Sequence, residues 1–428
     1  MLARTGPRLP PGPPRVVPRV YRGNPLAIVC AGMRTPRRLH IAYAVDTLDG
    51  VKTGGVISAK RFIAALRERH EVTVIAGGPS SEGRVGLPQF TIPPFGRVMR
   101  EMGFIFAWPS RRVLEPVLRS ADVLHVQFPF YLGIRAAALA RRLGTPVVAA
   151  SHLLPENMLH NVGVHSQKWV DWTWRFFLSA LYNRADHLVC PTAFGLEQLR
   201  RHGLTVPADI ISNGIPPQFH PGPAERDARF QGRFLILVVS RLAAEKRIEV
   251  IVEAVRRSRH AGDIQLVLCG HGPEEDRLRR LSATLPVPAE VGVVEEDQMP
   301  ALMRSADLLI HAAEVELEGM VLLEALGTGL PALIADAPLS AASRFAVGDE
   351  FHFPAGDAEA LARSMDLLID QPERLAAART ASLARARGLT LEASVARLEE
   401  IYQRVARPLL TTGPAALVAP ATRSPAAP

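Results

Sequence analysis

Four short segments of this 428-residue chain combine residue types and spacings suited to an anion and a polyhydroxylated ligand. The first is Ser240-Arg241-Leu242-Ala243-Ala244-Glu245-Lys246-Arg247, which directly follows an apolar run. A guanidinium forks onto two oxygens and an ammonium supplies a point charge, so Arg241 and Lys246 suit a diphosphate. The chain has only four lysines against 46 arginines, which makes a lysine here informative; a solvated, salt-bridged helix start explains the same residues. The second segment runs from Glu316 through Leu317, Glu318, Gly319 and Met320 to Glu324, with a helix expected to begin near Gly319. Glu324 then lies more than a turn inside an apolar helix, where a carboxylate needs a polar partner. A sugar hydroxyl or a ribose supplies one, and a capping acid followed by a solvated acid is the plainer alternative.

The third segment, Cys269-Gly270-His271-Gly272-Pro273-Glu274, opens like a dinucleotide fingerprint but lacks its third glycine, which disfavours hydride transfer with a nicotinamide. A tight turn with close backbone packing is the other reading. The fourth, Asp49 to Gly55, sets Gly54 and Gly55 before a helix, where backbone N–H groups either approach an anion or simply turn the chain.

These segments need a scaffold, and the apolar pattern describes one. Strands are expected at Leu39–Val45, Glu71–Ile75, Val123–Gln127, Pro146–Ala150 and His187–Val189, with helices between them, such as Val56–Arg69 and Ile134–Leu143. The stretch 213–233, rich in Gly and Pro, suits neither a helix nor a central strand and reads as a linker. Alternation then resumes with strands at Phe234–Val239, Gln265–Cys269, Val291–Val294, Leu308–His311 and Pro331–Ala335. Strands alternating with helices call for parallel sheets, so the expected fold is α/β, two doubly wound Rossmann-like domains facing a cleft, with ligands beyond the carboxyl ends of the strands. The domain reading is 1–38 a disordered Arg/Pro-rich extension, 39–212 a first domain, 213–233 the linker, 234–390 a second domain, 391–411 a C-terminal helix and 412–428 a disordered tail. Met33 is a candidate start, because the first strand pattern follows it closely.

Composition narrows the function. The net charge of +8 reflects eight arginines among residues 1–38, where no acid occurs; the remainder has 42 basic and 42 acidic residues. Nucleic-acid binding is therefore disfavoured. Cys30, Cys190 and Cys269 are far apart and lack zinc-ligand spacing, so neither a disulfide framework nor a structural metal is expected, and a reducing cytosol fits. No apolar run reaches the length of a spanning helix, and no secretory h-region is present.

Taken in order, Gly54-Gly55-Val56, Ser212-Asn213-Gly214-Ile215, Arg241 with Lys246, Gly270-x-Gly272-Pro273 and Glu316-x7-Glu324 resemble the retaining GT-B glycosyltransferases of family 4, over about residues 39–405. The resemblance implies that Arg241 and Lys246 hold the diphosphate of a nucleotide-sugar donor and stabilise charge on the leaving nucleotide, with no metal cofactor. It implies that Glu316 lies close to the donor sugar, with the backbone at Gly319 and Met320 at its hydroxyls, and that Glu324 binds the ribose. Gly270 and Gly272 would lie near the nucleotide, Gly54 and Gly55 would approach the diphosphate across the cleft, and His152 would reach the transferred sugar. Without that resemblance His152 is a strand-end histidine with a local partner. The first domain would then bind the acceptor and the second the donor, with UDP-glucose the favoured donor. The helix at 391–411 would pack back on the first domain. Two departures stand out: Glu318 replaces a common Phe, which should alter the shape or charge of the sugar subsite, and Ser240 replaces a common Gly, which should be tolerated.

The segment Ser151–Gly163 and the run Tyr182–Thr192 are similar to the bacterial branch that glucosylates membrane lipids such as diacylglycerol. Trp169, Trp172, Trp174, Phe176 and Phe177 crowd one expected helix beside Lys168, Arg175 and Arg184. Phe104, Phe106 and Trp108 mix with Arg97, Arg100, Arg111 and Arg112 in the segment from Phe95. Aromatics beside cations suit an anionic bilayer surface, whereas apolar residues on both sides of the Trp helix suit burial. Core packing is the reading for the helix and membrane docking for the Arg/aromatic segment, which would place the protein at the inner face of the cell membrane. The competing functions are a phosphorylase-like or epimerising enzyme, a non-catalytic nucleotide-sugar binding or membrane-associated protein, and transfer to a polysaccharide or small-molecule acceptor.

Overall fold

The computed structural model describes residues 37–49, 53–91, 96, 105–160, 163–164 and 166–407. The expected N-terminal extension and C-terminal tail, and Lys52, Phe95, Arg97, Arg100 and Phe104, lie outside the described residues. The chain divides into Met1–Arg37 and Arg38–Pro428, and every element below belongs to the second unit.

Two parallel sheets carry the architecture. Strands β1 (His40–Val45), β2 (Glu71–Gly77), β3 (Arg84–Leu87), β4 (Val123–Val126), β5 (Val147–Ala150), β6 (His187–Cys190) and β7 (Ala208–Ile210) stand in the order β3-β2-β1-β4-β5-β6-β7. Strands β8 (Phe234–Val239), β9 (Ile264–Cys269), β10 (Glu290–Gly292), β11 (Leu308–His311), β12 (Ala332–Asp336) and β13 (His352–Pro354) stand in the order β10-β9-β8-β11-β12-β13. Each order reads third, second, first, fourth, fifth, sixth, and the first sheet adds a seventh strand at its edge. The chain therefore reverses direction across the sheet between its first and fourth strands, and that reversal opens a crevice at their carboxyl ends.

The central strands are buried on both faces, which is why their sequences are mostly apolar rather than alternating, broken only by buried His125 in β4 and Gln265 in β9 among the three strands β4, β5 and β9. Strands β3, β7 and β13 were not expected. They are short edge strands, only partly buried, so their sequences carry no such run.

The helices that concern the site are α1 (Gly54–Arg67), α2 (Tyr131–Arg142), α3 (Pro155–His160), α4 (Gln167–Ala180), α5 (Ile248–Arg257), α6 (Met320–Thr328) and α7 (Leu391–Val405). The Thr390 side chain caps α7 by accepting from Ala393 N at 3.1 Å. Helix α7 buries Val395, Leu398, Ile401 and Tyr402 in the same cluster as Ile41, Tyr43, Val56 and Phe62, so the end of the chain completes the core of the first lobe.

The backbone crosses between the lobes on the way in and again on the way back, and the two crossings pair. Ile215 N donates to Leu389 O at 2.7 Å and Leu391 N donates to Ile215 O at 3.0 Å. Beside them Gly214 has φ +72°, and a Cβ there would lie 2.5 Å from Leu391 Cα, so only glycine fits.

Candidate active site

The cationic loop after β8 is shaped by strain and by close packing. Arg247 has φ +50°, the one positive value among described non-glycine residues, and it stands between the short 3-10 turn that carries Lys246 and the start of α5. Its guanidinium pairs with Glu249 at 2.7 Å and with Glu314, which holds the unfavourable conformation in place. Lys246 Nζ lies 2.7 Å from Glu316 Oε2, and His311 Nε2 lies 3.5 Å from the same oxygen. Burial alone would raise the Glu316 carboxyl. The Lys246 ammonium and the His311 imidazole outweigh it and hold the group well below the usual carboxylate range, so Glu316 is ionised at neutral pH. Arg241 pairs with Glu245 on the same loop. Gly319, in the left-handed region at φ +79°, turns the chain from Glu316 into α6.

The Gly270-x-Gly272 turn serves as the platform for this loop. Leu242 N donates to His271 O at 3.0 Å, and Glu274 N donates to Leu242 O at 2.9 Å. A Cβ on Gly270 would stand 1.9 Å from Ser240 O, and one on Gly272 would stand 2.3 Å from Leu242 O. The two glycines thus let the turn lie directly against the residues on either side of Arg241.

The first lobe contributes the start of α1. A Cβ on Gly55 would meet the Phe128 ring at 2.7 Å, and Gln127 Nε2 donates to Gly55 O at 2.9 Å while accepting from Tyr43 OH at 2.6 Å through its Oε1. These contacts fix the first turn of the helix, whose free N–H groups favour an anion. His152 follows β5. Burial pushes its imidazole down to about 4, so it is neutral at physiological pH and can both donate and accept a hydrogen bond.

The two lobes meet over one cleft enclosing about 1010 Å³, its open mouth included. Arg241, Lys246 and Glu316 line it from the second lobe, Gly55 and His152 from the first. Gly54 and Met320 face each other across the interface, a Cβ on Gly54 lying 3.5 Å from Met320 Sδ. Glu324 does not line the cleft; its carboxylate pairs at 2.8 Å with Arg61 of α1. Gly270 and Gly272 lie beneath the cationic loop rather than on the cleft wall.

Residues 53–219 match the family described as Glycosyltransferase Family 4, and residues 224–385 match glycosyl transferases group 1. The chain belongs to the GT-B glycosyltransferases of family 4. A GDP-mannose-dependent alpha-mannosyltransferase of Corynebacterium glutamicum is 27% identical over half of this chain and half of its own length. A phosphatidylinositol dimannoside mannosyltransferase of Mycobacterium tuberculosis is 26% identical over 77% of this chain and 88% of its own. The alpha-monoglucosyldiacylglycerol synthase of Streptococcus pneumoniae is 24% identical over 50% of this chain and 51% of its own. For two of these three relatives, therefore, the match spans about half the curated protein. Among solved structures, HepE of Anabaena in complex with UDP-glucose superposes with a TM-score of 0.67 over 86% of this chain and all of that one, at 15% identity, which shows the shared fold.

Several features of this glycosyltransferase were not legible beforehand. Asp46, at the end of β1, lines the cleft, and burial, only partly offset by backbone N–H groups, pushes its carboxyl up to about 7. A carboxyl so poised can exchange a proton with a hydroxyl at neutral pH. The signal available was an acid placed immediately after the buried run Ile41–Val45. Among the described residues no cluster of three or more His, Cys, Asp or Glu side chains is placed to hold a metal ion.

Glu318 corrects an expectation. Its side chain does not line the cleft but turns to the interlobe crossing, where Oε2 accepts from Asn213 N at 3.0 Å and from Asn213 Nδ2. On the other side of the loop, Thr192 Oγ1 donates to Leu317 O at 2.9 Å. The substitution for Phe therefore ties the Glu316 loop to the hinge instead of reshaping the cavity wall. Burial pushes the Glu318 carboxyl up to about 7 despite its bonds to Ser212 and Asn213.

A raised carboxyl binds its proton more tightly in the folded state. Its stabilising contribution is complete below its ordinary value of 4.5 and is lost as pH rises through about 7. Glu318→Gln removes that dependence, and its loss of stability between pH 5.5 and 8.5 should be smaller than that of the wild type by ~1–3 kcal/mol. Urea midpoints at the two pH values measure this, and an unchanged slope would contradict it.

Proposed function

We propose that this protein transfers a hexose from a nucleotide sugar to a hydroxyl of a membrane glycerolipid, retaining configuration at the anomeric carbon. The observation that carries the reading is the convergence of Arg241, Lys246, Glu316, His152 and Gly55 on one cleft between the two sheet reversals. When the bond between the anomeric carbon and the diphosphate oxygen breaks, both electrons leave on the diphosphate. Arg241, Lys246 and the N–H groups at Gly54 and Gly55 meet that charge, with no metal required. Glu316, ionised and locked by Lys246, faces the sugar together with the backbone at Gly319 and Met320. Neutral His152 bonds a sugar hydroxyl, and Glu324 takes the ribose. UDP-glucose is the favoured donor and GDP-mannose the alternative, because the relatives include both a glucosyl-lipid synthase and GDP-mannose-dependent enzymes.

The lipid acceptor draws support from helix α4. One face buries Val170, Trp174, Phe177 and Leu178; the other exposes Trp169, Trp172 and Phe176 at 56%, 54% and 41%. The core-packing expectation thus holds for one face only. The rings form a continuous stripe, Trp169 to Trp172 at 5.8 Å and Trp172 to Phe176 at 5.6 Å, between exposed Lys168 and Arg175. Of the Arg/aromatic segment, Trp108 is 52% exposed with its ring 5.4 Å from that of Tyr131 at a tilted angle, and Arg111 and Arg112 are exposed at the start of the following helix. Helix α4 is joined to the cleft through α3, where Trp174 Nε1 donates to Glu156 Oε1 at 3.2 Å and Asn157 and Met158 line the cavity. Among the described residues no helix is long and apolar enough to cross a membrane.

An interfacial stripe of Trp and Phe with flanking cations binds anionic lipid surfaces in a salt-sensitive way. The protein should sediment with phosphatidylglycerol-containing vesicles at low salt, and Trp169→Ser combined with Trp172→Ser should weaken that binding about tenfold. Failure of the wild type to sediment removes the support for a lipid acceptor. The reaction itself is tested by mass spectrometry of lipids after incubation with labelled UDP- and GDP-hexoses. A labelled glycolipid with the anomeric configuration of the donor is the expected product; absence of any hexosyl product overturns the proposal.

A further inference from the structure

Two carboxylates of the second lobe turn toward a single guanidinium of the first. Arg61 Nη2 lies 2.8 Å from Glu324 Oε1 and 3.7 Å from Glu296 Oε1, and the Arg61 and Glu324 side chains are each 11% exposed. Arginine carries five N–H donors in a rigid fork. Here Nε and Nη1 are buried with no hydrogen-bond partner. A buried ion pair with donors left unsatisfied contributes little net stability, since desolvation offsets its attraction. The arrangement is costly as scaffolding but well made for a ligand that brings oxygen atoms to it. Arg61 lies on the same helix as Gly54 and Gly55, and Glu324 on the same helix as Met320, so the pair joins the two helices that meet across the interface.

We propose that Arg61 is a binding residue for the ribose of the donor nucleotide, completing from the first lobe the subsite that Glu324 begins in the second. The inference rests on the reading of Glu324 as the ribose ligand. A hydroxyl has one proton to donate and lone pairs to accept. A ribose hydroxyl placed between the two side chains therefore donates to the Glu324 carboxylate and accepts from the Arg61 fork, and a vicinal diol can engage Nε or Nη1 as well. The ligand enters between the opposite charges without leaving either one unpaired in a buried place, and it joins the two lobes in doing so. The guanidinium brings the discrimination, because a nucleotide without these hydroxyls leaves its donors unsatisfied.

The test is calorimetric titration of the full chain with UDP and GDP and with their 2′,3′-dideoxy forms. Arg61→Met should weaken the ribonucleotide that the wild type binds by about tenfold, with little change for its dideoxy form, so the preference for ribose shrinks. Arg61→Lys, which keeps the charge but loses the fork, should fall between the two and serves if the methionine variant does not fold. Ribonucleotide affinity that is unchanged or tighter in both variants, or an equal loss for both sugar forms, overturns the assignment. A wild type that binds neither UDP nor GDP instead removes the nucleotide-sugar reading on which the inference stands.

Discussion

Lys246→Ala should lower hexosyl transfer by about 10³-fold, with the far-UV circular dichroism of the fold unchanged. The Lys246 ammonium has two roles. It faces the diphosphate as negative charge develops on the leaving group, and it holds Glu316 at 2.7 Å in its ionised form. Its removal takes away the first stabilisation outright. It also leaves the Glu316 carboxyl with only the more distant His311, so less opposes burial and the group titrates upward. The variant should therefore show a steeper loss of residual activity with acid than the wild type. Nucleoside diphosphate release measures both effects, and near-normal turnover would remove Lys246 from the machinery.

Gly270→Ala should destabilise the protein by about 3–5 kcal/mol and abolish most transfer. The added methyl would stand 1.9 Å from Ser240 O, a backbone atom that cannot swing aside as a side chain does. Relief requires parting the turn from the loop that carries Arg241, which disturbs the hydrogen bonds of Leu242 with His271 and Glu274. Gly292→Ala is the control, because a Cβ there meets nothing within 4 Å. Thermal melts that lower both variants equally would show that the platform is not what makes Gly270 necessary.

The doubly wound pattern was legible because buried parallel strands have to be apolar on both faces, as β1, β4 and β5 are. Lys246, which lines the cleft, and Glu324, which lies outside it, could be picked out for the complementary reason. Lys246 in a lysine-poor chain and an acid inside the apolar run ending at Glu324 are chemically out of place unless something pairs with them. What sequence did not disclose is which partner does so. Arg61 sits in an ordinary amphipathic helix, and its partner Glu324 lies 263 residues further along. Glu318 was read, from the Phe common at that place in the family it resembles, as altering a sugar subsite, whereas its side chain follows the hinge, whose position depends on the pairing of Ile215 with Leu389 and Leu391. Helix α4 shows the same limit: its composition is aromatic all round, and only the packing of Trp174 against α3 decides which rings are left for solvent.

The most direct measurement is a crystal structure of the full chain with its nucleotide-sugar donor bound. The diphosphate is expected between Arg241, Lys246 and the first turn of α1, the hexose against Glu316 and His152, and the ribose between Glu324 and Arg61. A nucleotide seated away from this cleft, or a diphosphate that touches neither Arg241 nor Lys246, would contradict this arrangement.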